Sequence, residues 1–343
     1  MRLDDPMLDS TARETRDAWL IDAMRHQIAY MRAKVPYWQQ RLSAAAVDER
    51  GIESLADLAR VPILTKDELR ALRPATLLPA ESLPKLQFSR WTSGTSGQPT
   101  VNFWSETDWA ALVSSTSRML ARQAPMTHPT AFNAYSQAHA TGPLFNAALR
   151  RLGAVVYDRS QHPEEFFPTL AQTEMFDFDT MVIAAQVRGK SIGLMNLLDD
   201  DPTFLARHGV RWWIGSSGTC GAEVMDRVRR QGVEVISDLY GSSEFAVFAI
   251  SCPESHGDYH VAQGHVLVEV VDQAGTPVAN GRFGRIVVTH LRGMDDNGQA
   301  CIHGGTQILR LAAGDGATLL DEPCACGLTS PRLRSVQRIG MAG

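Results

Sequence analysis

Residues 88–100 read Phe88-Ser89-Arg90-Trp91-Thr92-Ser93-Gly94-Thr95-Ser96-Gly97-Gln98-Pro99-Thr100, a hydroxyl-rich stretch with two glycines. Gly94 and Gly97 can adopt backbone angles that other residues resist, so successive N–H groups could turn towards one anion. Four side-chain hydroxyls could add hydrogen-bond donors, those of Thr92, Ser93, Thr95 and Ser96. The stretch lacks the Gly-Lys-Ser/Thr ending of a P-loop. The sequence therefore predicts either a phosphate-binding loop without a positive charge or a flexible surface loop rich in Ser and Gly.

Composition and charge place the chain among ordinary globular proteins. Of its 343 residues, 44% are hydrophobic and 21% are charged, and the net charge is −5. This length allows two or three domains or one large α/β unit, and the mild acidity argues against nucleic acid or an anionic membrane as a partner. Neither a membrane-spanning apolar run nor a secretory signal is present in the sequence. We therefore expect a cytoplasmic protein. Its five cysteines are too few for a disulfide framework.

Strand and helix patterns alternate through the middle of the chain. Residues 130–135 predict a strand, 143–152 a helix and 153–157 a second strand, which is the βαβ pattern of a doubly wound α/β sheet. Further strands and helices are predicted at 179–185, 187–198, 210–218, 223–230 and 233–240. Ligands bind beyond the carboxyl ends of parallel strands, so the turn at 135–142 is a candidate site. His139 in this turn is either a ligand contact or a loop histidine with local partners.

The N-terminal part of the chain carries two helix signals. Apolar residues recur at helical spacing between residues 11 and 42, which predicts an amphipathic helix that Pro36 ends. Thr65 and Glu68 have the spacing of a capping box, so we expect a helix to begin at Thr65.

A second polar turn follows the strand predicted at 233–240. It reads Tyr240-Gly241-Ser242-Ser243-Glu244. Together with residues 92–100, this turn resembles the motifs of adenylate-forming enzymes, the superfamily of acyl-CoA ligases and nonribosomal adenylation domains. The resemblance is greatest to the phenylacetate-CoA ligase branch, in which Thr often closes the phosphate loop as Thr100 does here. It implies doubly wound mixed sheets with helices, plus a small β subdomain.

The resemblance also implies roles for individual residues. The nucleotide would be bound by Thr92, Ser93, Gly94, Thr95, Ser96, Gly97, Ser216, Ser217, Gly218, Asp238, Tyr240 and Asp315. Tyr240 would stack on adenine, and Asp315 would accept both ribose hydroxyls. Thr95, Ser243 and Glu244 would be catalytic, with Ser243 at the α-phosphate and Glu244 as the Mg²⁺ ligand. The carboxylate substrate would be bound by Tyr135, His139, Gly241 and Ser242.

Three cysteines could belong to a metal site. Cys252, Cys324 and Cys326, together with one histidine, would form a tetrahedral zinc site that pins loops rather than performing chemistry. The resemblance implies His260 as the fourth ligand, with His256 as the alternative. The thiols could instead be unligated.

The resemblance runs from about residue 20 to residue 338 and covers only the large N-terminal portion of the family. We expect an α/β core that binds nucleotide and acid over 1–250, and a β-rich subdomain with the zinc site over 251–343 that ends at the family's hinge. The family's small C-terminal domain is expected to be absent. Because that domain carries a lysine that assists adenylation and the surface for thioester formation, adenylation is expected without CoA ligation.

The expected function is ATP- and Mg²⁺-dependent adenylation of a small carboxylic acid, with structural Zn²⁺. Trp91 and Tyr135 favour an aryl or otherwise planar acid. The acyl acceptor would be a thiol, an amine or a carrier protein, in a biosynthetic route such as the phenazine-antibiotic pathways where similar shortened proteins occur. The alternatives are a non-catalytic subunit that binds a nucleotide or acyl-adenylate, and an enzyme that transfers the acyl group to a partner protein. A homodimer is expected from the relatives alone.

Overall fold

The structure is a computed structural model that describes residues 9–91, 100–123, 129–133, 135, 137, 140–158, 181–184, 200–216, 222–252, 254, 257–291 and 305–339. Seven α-helices lie in this part of the chain: α1 (Arg13–Lys34), α2 (Pro36–Ala44), α3 (Lys66–Ala71), α4 (Glu106–Ala121), α5 (Thr141–Arg151), α6 (Phe204–Arg207) and α7 (Ala222–Arg230). The strands are β1 (Leu86–Trp91), β2 (Val101–Ser105), β3 (Thr130–Asn133), β4 (Val155–Asp158), β5 (Met181–Ala184), β6 (Val210–Ser216), β7 (Val235–Ser242), β8 (Ala246–Ser251), β9 (Tyr259–Val261), β10 (Val266–Val271), β11 (Phe283–His290), β12 (Leu311–Leu320) and β13 (Arg332–Arg338).

The chain divides into two compact units. The first comprises Met1–Ser115, Ser242–Phe245 and His260–Gly343, and the second comprises Thr116–Gly241 and Ala246–Tyr259. The domain division expected at residue 250 stays a prediction.

The N-terminal helices of the first unit break where the sequence predicts. Helix α1 ends at Lys34, Val35 is extended, and Pro36 is the first residue of α2. Proline suits that position because its missing N–H would have no partner in the first turn of a helix. The apolar stripe of α1 is buried, and from α2 the indole Nε1 of Trp38 donates a 2.9 Å hydrogen bond to the Gln307 carbonyl oxygen. The helices therefore bury their apolar faces within the first unit.

The remainder of the first unit is largely antiparallel. Strands β10, β11, β12 and β13 pair in that order, with Val270 opposite Ile286 and Asp315 opposite Arg338. Strands β1 and β2 form a separate hairpin in which Trp91 pairs with Val101. The residues between them in the sequence, 92–99, are the predicted phosphate loop and lie outside the described residues.

The second unit contains the predicted βαβ pattern. Its strands lie in the order β4, β3, β5, β6, β7, β8, and the pairs from β4 to β7 are parallel. Helix α5 connects β3 to β4. In β6 the consecutive residues Trp212, Trp213 and Ile214 are all fully buried, which is typical of parallel strands covered on both faces. The α/β fold class is thereby confirmed.

Within the described ranges, no helix is both long and apolar enough to cross a membrane. The helix predicted at 187–198 lies outside those ranges.

Candidate active site

The Tyr-Gly-Ser-Ser-Glu motif begins at the end of β7 and continues into the tight turn before β8. A Cβ atom added to Gly241 would lie 2.1 Å from the backbone oxygen of Ala246, so a larger residue does not fit there. Ala246 itself has a φ of 57°, a left-handed conformation that costs energy in a residue with a side chain. The Phe245 N–H donates to the Ser242 carbonyl oxygen at 3.2 Å and closes the turn. The glycine is therefore required by close backbone approach.

Glu244 lies in this turn with its carboxylate buried at 3% exposure. Its Oε2 is 3.8 Å from Nζ of Lys66, a residue that is 19% exposed in its side chain. At that distance the two form an ion pair without a direct hydrogen bond, and Oε2 has no hydrogen-bond partner among the described residues. A buried carboxylate oxygen that lacks a hydrogen bond is costly in a protein without a ligand. Oε2 of Glu244 is therefore available to a ligand that is positively charged or donates a hydrogen bond.

Local signals in the sequence fix the position of Lys66. It is the first residue of α3, and Thr65 caps the helix by accepting a 3.1 Å hydrogen bond from the Glu68 N–H. The Glu68 carboxylate accepts in return from the Thr65 N–H at 2.8 Å, which confirms the predicted capping box. The preceding Leu64 exchanges backbone hydrogen bonds with the chain around Arg310 and Ala312 at the start of β12.

Arg310 anchors the same segment through its side chain. Its Nε donates to the Glu269 carboxylate at 3.1 Å, and its Nη1 donates to the Val61 carbonyl oxygen at 2.8 Å. Burial raises the pKa of Glu269, and the neighbouring Arg310 charge opposes that rise. Because both side chains are buried, removing either one would leave the other as an unpaired buried charge and would destabilise the protein. The segment that leads to Lys66 is therefore held to the sheet by the hydrogen bond from Arg310 to Val61 and by the backbone bonds of Leu64.

Asp238 lies on β7 in the second unit. The Tyr259 hydroxyl donates a 2.5 Å hydrogen bond to its Oδ2, and Oδ1 has no partner among the described residues. Burial raises the pKa of this carboxyl to about 6, although the hydrogen bond from Tyr259 acts to lower it. Two residues further on, the buried Tyr240 ring contacts Phe248 edge-on at 5.2 Å and lies 6.0 Å from the Tyr259 ring. The carboxylate thus retains one oxygen for a ligand that donates a hydrogen bond.

Tyr135 is also in the second unit, just beyond the end of β3. Its ring is buried and stacks on Phe145 with centroids 5.0 Å apart. Its N–H donates to Oδ1 of Asn133 at 3.0 Å, while Nδ2 of Asn133 donates to the Gly142 carbonyl oxygen at 2.8 Å. The predicted turn is therefore tied to the start of α5 by one asparagine.

Asp315 is on β12 in the first unit. Its Oδ1 lies 3.0 Å from Nη1 of Arg338, the residue directly opposite on β13. The Arg338 side chain is largely exposed. The predicted ribose acceptor therefore has a cationic neighbour that sequence analysis did not identify.

Three of the predicted zinc ligands meet within the first unit. The ligand atoms of His260, Cys324 and Cys326 all lie within 4.8 Å of one another, and Cys326 Sγ is 3.4 Å from His260 Nε2. The other ring nitrogen, Nδ1, is 2.9 Å from Oγ of Ser330, which fixes the ring with Nε2 towards the thiols. Cys252 is a buried cysteine of the second unit, and its role as a ligand stays a prediction.

Several predicted site residues lie outside the described part of the chain: Thr92, Ser93, Gly94, Thr95, Ser96, Gly97, His139, Ser217, Gly218 and His256. Ser216 is the last residue of β6. Sequence analysis missed two residues at the Glu244 turn. They are Lys66 and Asn102, whose Nδ2 donates a 3.0 Å hydrogen bond to the Ser243 carbonyl oxygen.

Comparison with known proteins gives a consistent set of relatives. The profile of a family described as AMP-binding enzyme matches residues 17–294. The chain is 28% identical over 341 residues to phenylacetate-coenzyme A ligase of Thermus thermophilus, covering 96% of this chain and 71% of that enzyme. It is 27% identical over 274 residues to the Escherichia coli enzyme of the same name, covering 75% of this chain and 59% of that enzyme. The chain thus spans less than two thirds of the Escherichia coli enzyme.

A solved structure supports the fold. That structure, 2-hydroxyisobutyryl-CoA ligase in complex with 2-HIB-AMP and CoA, matches with a TM-score of 0.82 at 20% identity. The match covers 97% of this chain and 70% of that one. At this identity the likeness concerns the fold alone.

Proposed function

The chain belongs to the AMP-binding enzyme family, in the phenylacetate-CoA ligase-like branch of the adenylate-forming superfamily, and we propose that it adenylates a small carboxylic acid with ATP. The products would be an acyl-AMP and pyrophosphate. The observation that carries this proposal is the buried Glu244 carboxylate, which faces Lys66 and has an oxygen without a hydrogen-bond partner among the described residues.

Glu244 fits a magnesium ion by its chemistry. Hard cations prefer carboxylate oxygens, and the unsatisfied Oε2 offers one. When bound, Mg²⁺ would neutralise charge on the ATP phosphates. Lys66 would add a second positive charge beside Glu244. Residues 92–100 contain no Lys or Arg that could supply one.

The other described residues would bind and orient the substrates. Asp238 would accept a hydrogen bond from the adenine amino group through Oδ1, and Asp315 would accept from the ribose hydroxyls. The Tyr240 ring would contact the adenine face, and the Ser243 hydroxyl would donate to the α-phosphate. Each role follows the family motif and is supported by the position of its residue in or beside the strands described above.

The reaction itself needs no general base. A carboxylic acid with a pKa of about 4 is ionised at neutral pH, so one of its oxygens can attack the α-phosphorus directly. A new carboxylate oxygen–phosphorus bond forms, and the bond between the α-phosphorus and the bridging oxygen breaks. Pyrophosphate leaves with that oxygen and its electron pair.

The acid is proposed to be aryl or otherwise planar. Support comes from the buried Tyr135 ring stacked on Phe145, and from the phenylacetate-coenzyme A ligases among the relatives, whose name specifies an aryl-substituted acid. The acyl acceptor is proposed to be a thiol, an amine or a carrier protein in a biosynthetic route. CoA is the thiol bound in the solved structure of 2-hydroxyisobutyryl-CoA ligase.

A structural zinc ion is proposed at His260, Cys324 and Cys326. The ring orientation of His260 and the spacing of the three ligand atoms support it. Cys252 would supply the fourth ligand of a tetrahedral site. Such a site would hold the turn between β12 and β13 without taking part in the reaction.

The test is carboxylate-dependent exchange of labelled pyrophosphate into ATP, with Mg²⁺ and a panel of aryl and short aliphatic acids. We expect exchange with at least one planar acid and its loss in Glu244→Gln. The matched control is Glu81→Gln, because Glu81 pairs with Lys34 at 3.6 Å on the surface and has no proposed role.

Two outcomes would contradict the proposal. If Glu244→Gln still catalyses pyrophosphate exchange at the wild-type rate, Glu244 has no role in the reaction. Tight ATP binding without exchange for any acid would favour the non-catalytic subunit instead.

A further inference from the structure

The Asn102 side chain connects β2 to the Glu244 turn. Asn102 is 2% exposed, and its Nδ2 donates a 3.0 Å hydrogen bond to the Ser243 carbonyl oxygen. We propose that Asn102 is a positioning residue that fixes the direction of the Glu244 carboxylate. This inference rests on the proposed function, because it concerns the residue proposed to bind the cation.

The bond acts on the peptide that joins Ser243 to Glu244. That peptide is planar, so fixing the direction of its carbonyl also fixes the direction of the Glu244 N–H. The following residue is held separately, since Phe245 bonds to Ser242 and its ring packs edge-on against His290 at 4.5 Å. Asn102 therefore restrains the one peptide of the turn that immediately precedes the Glu244 side chain.

Strand β2 is a firm support for such a restraint because both its edges are bonded. On one edge it pairs with β1, where Arg90 lies opposite Asn102. On the other edge Phe103 donates its N–H to Thr306 Oγ1 at 3.0 Å and accepts from the Thr306 N–H at 2.9 Å. A Cβ atom on the adjacent Gly305 would lie 2.1 Å from the Phe103 carbonyl oxygen, so this close approach requires glycine.

The expected effect of losing Asn102 is on the cation rather than on the acid. Without the hydrogen bond from Asn102, the peptide between Ser243 and Glu244 can rotate, and the Glu244 carboxylate no longer keeps the orientation that binds the cation. A higher Mg²⁺ concentration is then needed for the same rate of pyrophosphate exchange. We expect Asn102→Ala to raise the Mg²⁺ concentration for half-maximal pyrophosphate exchange about tenfold, the scale of one buried hydrogen bond. The KM for the acid should stay within about twofold, because Tyr135 and its neighbours are untouched.

A second variant separates positioning from packing. Asn102→Asp keeps the side-chain shape but places a carboxylate oxygen against the Ser243 carbonyl oxygen, so it should raise the Mg²⁺ requirement at least as much as Asn102→Ala. Ser117→Ala is the stability control. Ser117 is buried, and its Oγ donates to the Ala148 carbonyl oxygen at 3.2 Å in the second unit. Its loss should lower the melting temperature without changing the Mg²⁺ dependence.

Two quantities are measured for each variant of the full chain. They are the Mg²⁺ dependence of pyrophosphate exchange and the rate of amide hydrogen exchange over residues 242–246. We expect both to change in the two Asn102 variants and neither to change in Ser117→Ala. If the wild type catalyses exchange while the Asn102 variants keep its Mg²⁺ dependence, the inference is overturned. If the wild type shows no pyrophosphate exchange, the proposed function fails. The hydrogen exchange of 242–246 then decides on its own whether Asn102 restrains the turn, with unchanged protection overturning that as well.

Discussion

Asp238→Asn should make the protein more stable at neutral pH. The substitution keeps the side-chain shape and the oxygen that accepts from Tyr259. It removes a carboxylate that burial makes costly to ionise. We attribute the presence of such a costly group to the proposed role of Asp238 in binding the nucleotide.

The magnitude follows from the pKa of Asp238, which burial raises from 3.8 to about 6. Between these values the folded chain holds a proton that the unfolded chain has released, so wild-type stability falls as pH rises through this window. At about 1.4 kcal/mol for each pKa unit, ionisation costs about 3 kcal/mol above the folded pKa. The new amide NH₂ group at the Oδ1 position lacks a hydrogen-bond partner, and this cost offsets about 1–2 kcal/mol of that gain. Asp238→Asn should therefore be about 1–2 kcal/mol more stable than the wild type above pH 6, and about 1–2 kcal/mol less stable below about pH 4, where only the cost of the unpaired amide remains.

The assay is thermal unfolding of the wild type and Asp238→Asn between pH 4 and pH 8. The melting temperature of Asp238→Asn minus that of the wild type should rise from negative to positive through the window from pH 4 to pH 6 and then level off. Asp226→Asn is the control, because Asp226 is an exposed residue of the same unit and should leave the pH profile unchanged. A profile of Asp238→Asn parallel to that of the wild type would refute the assignment of this pH dependence to Asp238.

Three further predictions concern charges and metal ligands. Lys66→Met should lower the rate of pyrophosphate exchange at least tenfold. The melting temperature should change little, because Met replaces the partly exposed methylene stem by one of similar length. A rate of pyrophosphate exchange equal to that of the wild type would contradict a role for the Lys66 charge. Arg310→Met leaves Glu269 buried without its cation and should lower the free energy of unfolding in urea by about 3–5 kcal/mol, and a loss below about 1 kcal/mol would show that the pair is not needed. Cys326→Ser should reduce the zinc content measured by mass spectrometry and lower the melting temperature. Cys220→Ser removes a cysteine outside the proposed ligand set and should keep the wild-type zinc content, so equal zinc in both variants would exclude Cys326 as a ligand.

Local patterns made the helices and parallel strands predictable. Pro36 and the Thr65–Glu68 box act within one turn of the chain: α1 ends just before Pro36, as predicted, and α3 begins after Thr65. The helix α2 that begins at Pro36 was not predicted. The βαβ pattern of β3, α5 and β4 follows from hydrophobic runs separated by turn residues. By contrast, β8 is a short apolar run that gives no periodic signal, and it was not predicted.

The site was predictable only where a motif is continuous in sequence. The residues from Tyr240 to Glu244 could be found because they are adjacent. Lys66 and Asn102 reach the same turn from separate parts of the chain, and no spacing rule connects them to it. Lys66 had one usable signal, since it follows the helix cap at Thr65, but the cap alone indicates a helix and not a contact with Glu244.

The most direct test of adenylation follows an oxygen atom. The acid that supports pyrophosphate exchange is labelled with ¹⁸O in its carboxylate and incubated with ATP, Mg²⁺ and hydroxylamine as an acyl acceptor. If the carboxylate attacks the α-phosphorus, one ¹⁸O atom passes into the phosphate of AMP, and pyrophosphate stays unlabelled. Unlabelled AMP, or ADP and phosphate as the products, would contradict adenylation of the acid by this chain.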